Sequence, residues 1–189
     1  IMASTSGGES TTGRYTTVTI TGAPVTVSPS TAVAGQEVTV TGTGFTKSDD
    51  LHTITVGGQT VTNVSSGGLD STDTIASNVE TDSSGNFSTS FLIPDSSTTR
   101  TAGDHKILVT DDVGLTGEVF ITIPGRTISL SNDSSKRSSE VTVSGTGYEA
   151  KGTVALTYLS GVTTTSLGSA TADSYGAFSA TVTVPNTPS

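Results

Sequence analysis

The sequence contains no cysteine and no tryptophan, and only two histidines among its 189 residues. Without cysteine, disulfides, thiolate nucleophiles and zinc–thiolate sites are excluded. His52 and His105 are the only side chains whose ordinary titration suits acid–base work near neutral pH, and neither sits in a catalytic motif. Charged residues make up 13% of the chain, eight basic against 17 acidic, for a formal net charge of −9. Phosphate backbones are bound by clustered Lys and Arg, so no nucleic-acid partner is expected. No apolar run approaches the ~20 residues of a membrane-spanning helix, so no membrane span is expected. No export signal is visible, so a secreted protein is expected to have shed one ahead of Ile1. Aromatic residues are scarce too, at 5%. The core must therefore be built from Val, Ile, Leu and Ala with a few rings.

What the chain does have is alternation. Val25-Thr-Val27, Val38-Thr-Val40, Val141-Thr-Val143 and Val182-Thr-Val184 each place Val on one face and Thr on the other. A period of two marks half-buried strands, and Thr suits the solvent side because its β-branch fits the pleat while its hydroxyl meets water. Turn signals at Gly57-Gly58, Ser84-Gly85 and Tyr175-Gly176 punctuate these runs. No segment has helical periodicity. The expected class is all-β.

The chain also repeats itself. Glu37-Val-Thr-Val-Thr-Gly-Thr-Gly-Phe45 matches Glu140-Val-Thr-Val-Ser-Gly-Thr-Gly-Tyr148, 103 residues further on. Asp82-Ser-Ser-Gly-Asn-Phe87 matches Asp173-Ser-Tyr-Gly-Ala-Phe178, and Pro94 matches Pro185, both 91 residues further on. The first copy thus carries 12 extra residues, and the Gly- and Ser-rich stretch around Ser65–Asp73 is the expected insertion. A repeat of this length fits one immunoglobulin-like sandwich of ~100 residues. The Gly-Thr-Gly-aromatic block after a Val-Thr-Val strand resembles prokaryotic immunoglobulin-like repeats, including the IPT/TIG type, as does Asp-Ser-x-Gly-x-Phe-Ser before a strand ending in Pro. The resemblance implies tandem immunoglobulin-like β-sandwiches in an extracellular surface-layer, adhesin or filament protein, acting as spacers or lattice units.

The repeat is out of phase with the chain. The first copy, residues 23–124, holds a full set of strands: A near Pro24–Ser28, B near Glu37–Thr41, C near Leu51–Val56, D near Ile75–Thr81, E near Phe87–Ile93, F near His105–Thr110 and G near Glu118–Ile123. The second, residues 125–189, supplies only A to E, so this sandwich is expected to lack its last two strands. Residues 1–22 read as the missing pair, an F–G-like hairpin. Thr12-Gly13 lines up with Thr116-Gly117, and Val18-Thr-Ile20 with Ile121-Thr-Ile123. An incomplete sandwich leaves sheet edges unpaired, and a lone hairpin is marginal in water. Both defects vanish if the hairpin of one molecule completes the last sandwich of the next, with Tyr15, Val18 and Ile20 at the polymer interface. The expected partners are copies of itself, joined in a filament, sheath or surface layer. Two other readings stand beside it: a piece of a long tandem-repeat adhesin or stalk cut out of phase, and a carbohydrate-binding accessory module.

Candidate chemistry is thin, and no enzyme is expected. Gly42-Thr-Gly44 lacks the third glycine and the helix of a phosphate-binding turn. Carboxylates offer more. Asp49 and Asp50 fall in the expected B–C loop, Asp82 at D–E, and Asp111 and Asp112 in F–G, all at one end of the sandwich. Calcium takes six to eight oxygen ligands, so these five form a candidate calcium cluster, the one expected cofactor. Asn63, Asn86 and Asn132 head Asn-x-Ser sequons and are candidate glycosylation sites.

Overall fold

A computed structural model describes residues 22–62 and 79–186. Every regular element among them is a strand: β1 Val25–Ser28, β2 Glu37–Gly42, β3 Leu51–Val56, β4 Gln59–Thr60, β5 Phe87–Leu92, β6 Gly103–Asp111, β7 Thr116–Ile123, β8 Thr127–Leu130, β9 Glu140–Thr146, β10 Thr153–Ser160, β11 Thr163–Thr171 and β12 Phe178–Thr183. No helix among the described residues is long and apolar enough to cross a membrane.

The first sandwich packs sheet β1-β2-β5 on sheet β4-β3-β6-β7. Alternation decides which face goes in. Val38 and Val40 on β2, Ile54 and Val56 on β3, Ile107 and Val109 on β6, and Ile121 and Ile123 on β7 are all buried in one cluster. The intervening Thr and Ser pair across the outer face, as in Thr26–Thr41 and Thr39–Ser90. Beyond β1 the chain leaves β2 and runs along β7 instead: Ala32 donates to Thr122 O and Thr122 donates back to Ser30 O. β7 therefore closes the open side between the sheets.

The second unit repeats the first sheet as β12-β9-β8, in matching register: Val25 pairs with Gly42 in one, Ile128 with Gly145 in the other. Its other sheet has only β10 and β11. Thus the fold is tandem immunoglobulin-like sandwiches, and among the described residues the second has counterparts of strands A to E alone. Two details depart from the sequence-based expectation. β4, after the Gly57-Gly58 turn, was not anticipated; its two residues pair with the end of β3. In the second unit the D region becomes β11, a nine-residue partner of β10 across the two-residue turn Gly161-Val162. A bulge at Leu167 interrupts that pairing, since Leu156 faces Gly168 while Thr157 faces Ser166. Most of the expected first-copy strand D (75–78), the 65–73 insertion and residues 1–21 lie outside the described residues.

The repeated motifs turn out to be one packing device. A Cβ added at Gly42 would lie 2.7 Å from the Phe45 ring and run into Phe87; at Gly145 it would lie 2.5 Å from the Phe178 ring. The glycine lets two rings meet edge to face over the strand end, Phe45–Phe87 at 5.2 Å and Tyr148–Phe178 at 5.0 Å. Asp82 and Asp173 hold the adjacent turns, accepting bonds from Ser84 N and Asn86 N in one and Tyr175 N and Ala177 N in the other. Inside each turn Gly85 and Gly176 have positive φ, with the carbonyls of Phe45 and Tyr148 where a Cβ would go.

Gly85→Ala is therefore expected to destabilise the first sandwich by on the order of 2–3 kcal/mol, from the left-handed backbone and the clash with Phe45 O together. Urea unfolding of the variant, with an unchanged slope and a lower midpoint, is the measurement.

Candidate functional site: an open groove in the second sandwich

The five candidate calcium ligands do sit at one end of the first sandwich, but the structure does not bring them together. Among the described residues, which include all five, no three acidic or histidine side chains stand close enough to hold a metal. Each is engaged locally or points elsewhere. Asp111 is buried and accepts bonds from Thr46 N at 3.2 Å and Leu115 N at 2.7 Å, tying the B–C loop to the F–G turn. Asp82 caps its own turn and also takes Asn86 Nδ2. Asp112 lies 3.4 Å from His52 at the surface. In Asp49 the backbone N–H donates to Thr81 Oγ1, while one carboxylate oxygen is buried without a hydrogen-bond partner. Asp50 joins Glu80 through an isolated backbone bridge. Short aspartates in turns bind neighbouring amides, and here that use wins over convergence.

The other singled-out residues that are described make local contacts. His105 Nε2 bonds Thr101 O at 2.8 Å. Asn86 spends its amide on Asp82, whereas Asn132 is exposed and its Oδ1 accepts from Ser134 N. Asn63, Tyr15, Val18 and Ile20 lie outside the described residues. Most rings are buried or half-buried, but Phe120 is 57% exposed on the outer face of β7 and Tyr175 is exposed at its turn tip.

The distinctive feature is a groove of about 800 Å³ between the two sheets of the second sandwich. Its walls are apolar: Ile128 and Leu130 from β8, Val141 and Val143 from β9, Leu156 and Tyr158 from β10. The first sandwich shows what such a space normally holds. Val25 is 9% exposed because β7 covers it; a Cβ on Gly117 of β7 would lie 2.5 Å from Val25 Cγ2. Ile128, at the same register position of the second copy, is 65% exposed, and Leu130 is 54% exposed. β3 is paired on both sides, with β4 and β6, whereas among the described residues β10 is paired only with β11. One edge of β10 thus presents free backbone donors and acceptors beside a greasy trough. Asn132, Asp133 and Ser135, which follow β8 as Pro29, Ser30 and Ala32 follow β1, border the groove where β7 would run. Sequence reasoning had the gap from strand counting; the exposed side chains at its rim follow from the register.

The two-layer Greek-key arrangement defines an immunoglobulin-like β-sandwich protein. Residues 23–110 match the family model of the IPT/TIG domain. Among solved structures the chain is similar to the tetra-tandem repeat in the extending region of a large adhesion protein, at 18% identity and a TM-score of 0.30, over 87% of this chain and 42% of that one. The chain thus spans less than half the length of that structure. No curated protein matches the sequence.

The Asp82 and Asp173 caps give a pH prediction. Backbone and side-chain donors hold the Asp82 carboxyl below its ordinary value near 3.8, Asn86 contributing most, and Ala177 N does the same foremost for Asp173. A depressed folded-state pKa gives stability that is complete above the unfolded value and fades as pH falls through the folded one. The stability gap between wild type and Asp82→Asn is therefore expected to be constant from neutral pH down to about 4.5 and to shrink below that. Thermal midpoints of both proteins across that range test it.

Proposed function

We propose that the chain is a structural repeat module of an extracellular filament, sheath or surface layer, assembled head to tail by strand complementation. Residues 1–22 of one copy occupy the groove of the second sandwich of another. The observation that carries this reading is the groove itself: largely apolar, lined by β8 to β10, and bounded by an edge of β10 that no described strand pairs. The match of residues 23–110 to the IPT/TIG domain supports a repeat-module role at a cell surface.

Residues 1–22 fit the groove in pattern. Val18 and Ile20 take the places of Ile121 and Ile123, which are buried in the first core. One extra residue at Thr16-Thr17, accommodated as a bulge, then sets Tyr15 at the place of Val119 and Gly13 at that of Gly117. Glycine is required there, because a Cβ at Gly117 would collide with Ala23 O and approach the Phe45 ring to 3.0 Å. Thr19 would then exchange backbone bonds with Asp133 and Ser135, as Thr122 does with Ser30 and Ala32.

A molecule does not fill its own groove. In the first sandwich β7 ends at the A–B loop, away from the B–C end. Ile20 would have to reach the corresponding far end of the second sandwich while Gly22 stays beside Thr116, at the B–C end of the first, which is the end remote from the second. That separation is two strand lengths, each about 30 Å for nine residues, and two residues bridge only about 7 Å. Donation is between molecules, and a head-to-tail contact that does not close makes an open polymer.

Val18→Arg is expected to weaken assembly roughly 100-fold, the loss of ~3 kcal/mol for one buried aliphatic exchanged for an unpaired charge. Gly13→Val should act alike, and neither should alter the melting of the first sandwich. Sedimentation of the purified chain and its variants measures this. If wild type and Val18→Arg sediment alike as monomers, the groove is filled from a continuing chain, as in a long tandem-repeat stalk, and the polymer reading is wrong.

A further inference from the structure

The junction between the two sandwiches is built from small apolar residues. Val33, Ala34 and Ala150 are buried, yet none belongs to either core cluster. Ala150 N donates to Ala34 O at 2.9 Å, and a Cβ on Gly176 would lie 2.9 Å from Val33 Cγ2. At the margin, Arg100 is paired with Asp95 and reaches Glu149 at 3.3 Å. The A–B loop of the first sandwich thus seats on the B–C loop and D–E turn of the second.

The same loop recurs at the free end of the second sandwich. Gly35 N donates to Ile93 O and Ser138 N to Val184 O; Gln36 N donates to Val33 O and Ser139 N to Lys136 O. Both Gly35 and Ser138 have positive φ, at 76° and 62°. Lys136 and Arg137 therefore stand where Val33 and Ala34 stand, and both are exposed with no salt bridge among the described residues. The receiving surface recurs as well, on the first sandwich. Ser48 N donates to Asp82 O as Lys151 N does to Asp173 O, and Phe45 N to Gly85 O as Tyr148 N to Gly176 O. Among the described residues that end carries Asp49, Asp50, Asp82 and Asp112 against one cation, Lys47.

The geometry points to the Lys136–Ser138 loop as a basic docking tip that seats on the acidic B–C and D–E end of the first sandwich of a second copy. The contact between molecules is then held by charge where the equivalent contact inside each molecule is held by apolar packing. This rests on the head-to-tail reading, because strand donation is what brings these two ends together. Its consequence is electrostatic: complementary ends steer encounter and make assembly salt-dependent, while the intramolecular junction, apolar apart from the Arg100–Glu149 pair at its margin, depends less on salt.

The test is light scattering of the full chain at about 20 mM and about 300 mM salt, where the Debye length falls from about 20 Å to about 6 Å. K136E/R137E is expected to slow assembly at least 10-fold at low salt and to match wild type at high salt. The neutral K136Q/R137Q should fall between. Adding D50K/D112K to K136E/R137E should restore the rate, which a merely structural role for these exposed side chains would not do. If K136E/R137E assembles at the wild-type rate while V18R fails, the docking tip is wrong and strand donation stands. If V18R assembles normally while K136E/R137E is slowed, strand donation is wrong and the charged contact stands. Wild type that stays monomeric at both salts overturns both.

Discussion

Two sheets packed face to face enclose apolar space that is open along its sides, and everything in this molecule turns on how that side is closed. In the first sandwich β6 and β7 close it, contributing Ile107, Val109, Ile121 and Ile123, all buried. In the second no described strand does so, and the cost is visible at single residues. Ile128 and Leu130 have the register and strand partner of Val25 and Val27, yet they face solvent. Their exposure is not a matter of local sequence. It is the absence of a neighbour, and burying each such side chain is worth roughly 1.5–3 kcal/mol.

An acceptor with an open side must nevertheless keep its shape. The repeated motif meets that need because all of its parts lie before strand F. The Tyr148–Phe178 pair, the Gly145 strand end and the Asp173 turn link β9, the B–C loop and β12 without help from the missing hairpin. Arg126 stacks over Tyr148 at 5.6 Å and covers the outer side of that ring. Val143, Val154, Leu156, Ala172, Phe178 and Val182 then form a small core of their own. Three or more strands with an apolar face are the minimum for independent stability, and the second sandwich meets it. The clasp explains why these residues recur while the groove-facing ones need only be apolar.

Much of this was legible in the sequence because β-structure writes its burial in a period of two. The Val-Thr-Val runs gave the inward face of β1, β2, β9 and β12, and the offset between the two repeats gave the incomplete second sandwich. What was not legible depends on contacts that no local pattern encodes. β11 carries Thr and Ser on both faces, so nothing in its alternation says which sheet it joins; a two-residue turn decides that. The aspartates read as a cation site because topology sends their loops to one end. Their backbone neighbours claimed them first, and a neighbouring amide leaves no mark in the sequence beyond the turn residues themselves. Phe120 shares its face of β7 with Glu118 and Thr122, so its parity puts it outside.

In the proposed polymer, donated strands and covalent linkage would act on one load path. Residue 22 leads from the donor segment directly into β1, as Gly125 leads from β7 to β8. Tension along such a polymer would pull the donor strand parallel to its own axis, loading every backbone bond to the groove edges together in shear, not one at a time. In that polymer a glycine position that admits no side chain would oppose a slip by two residues, the smallest that keeps the same face inward. Register, more than affinity, is then what the sequence of residues 12–20 has to protect.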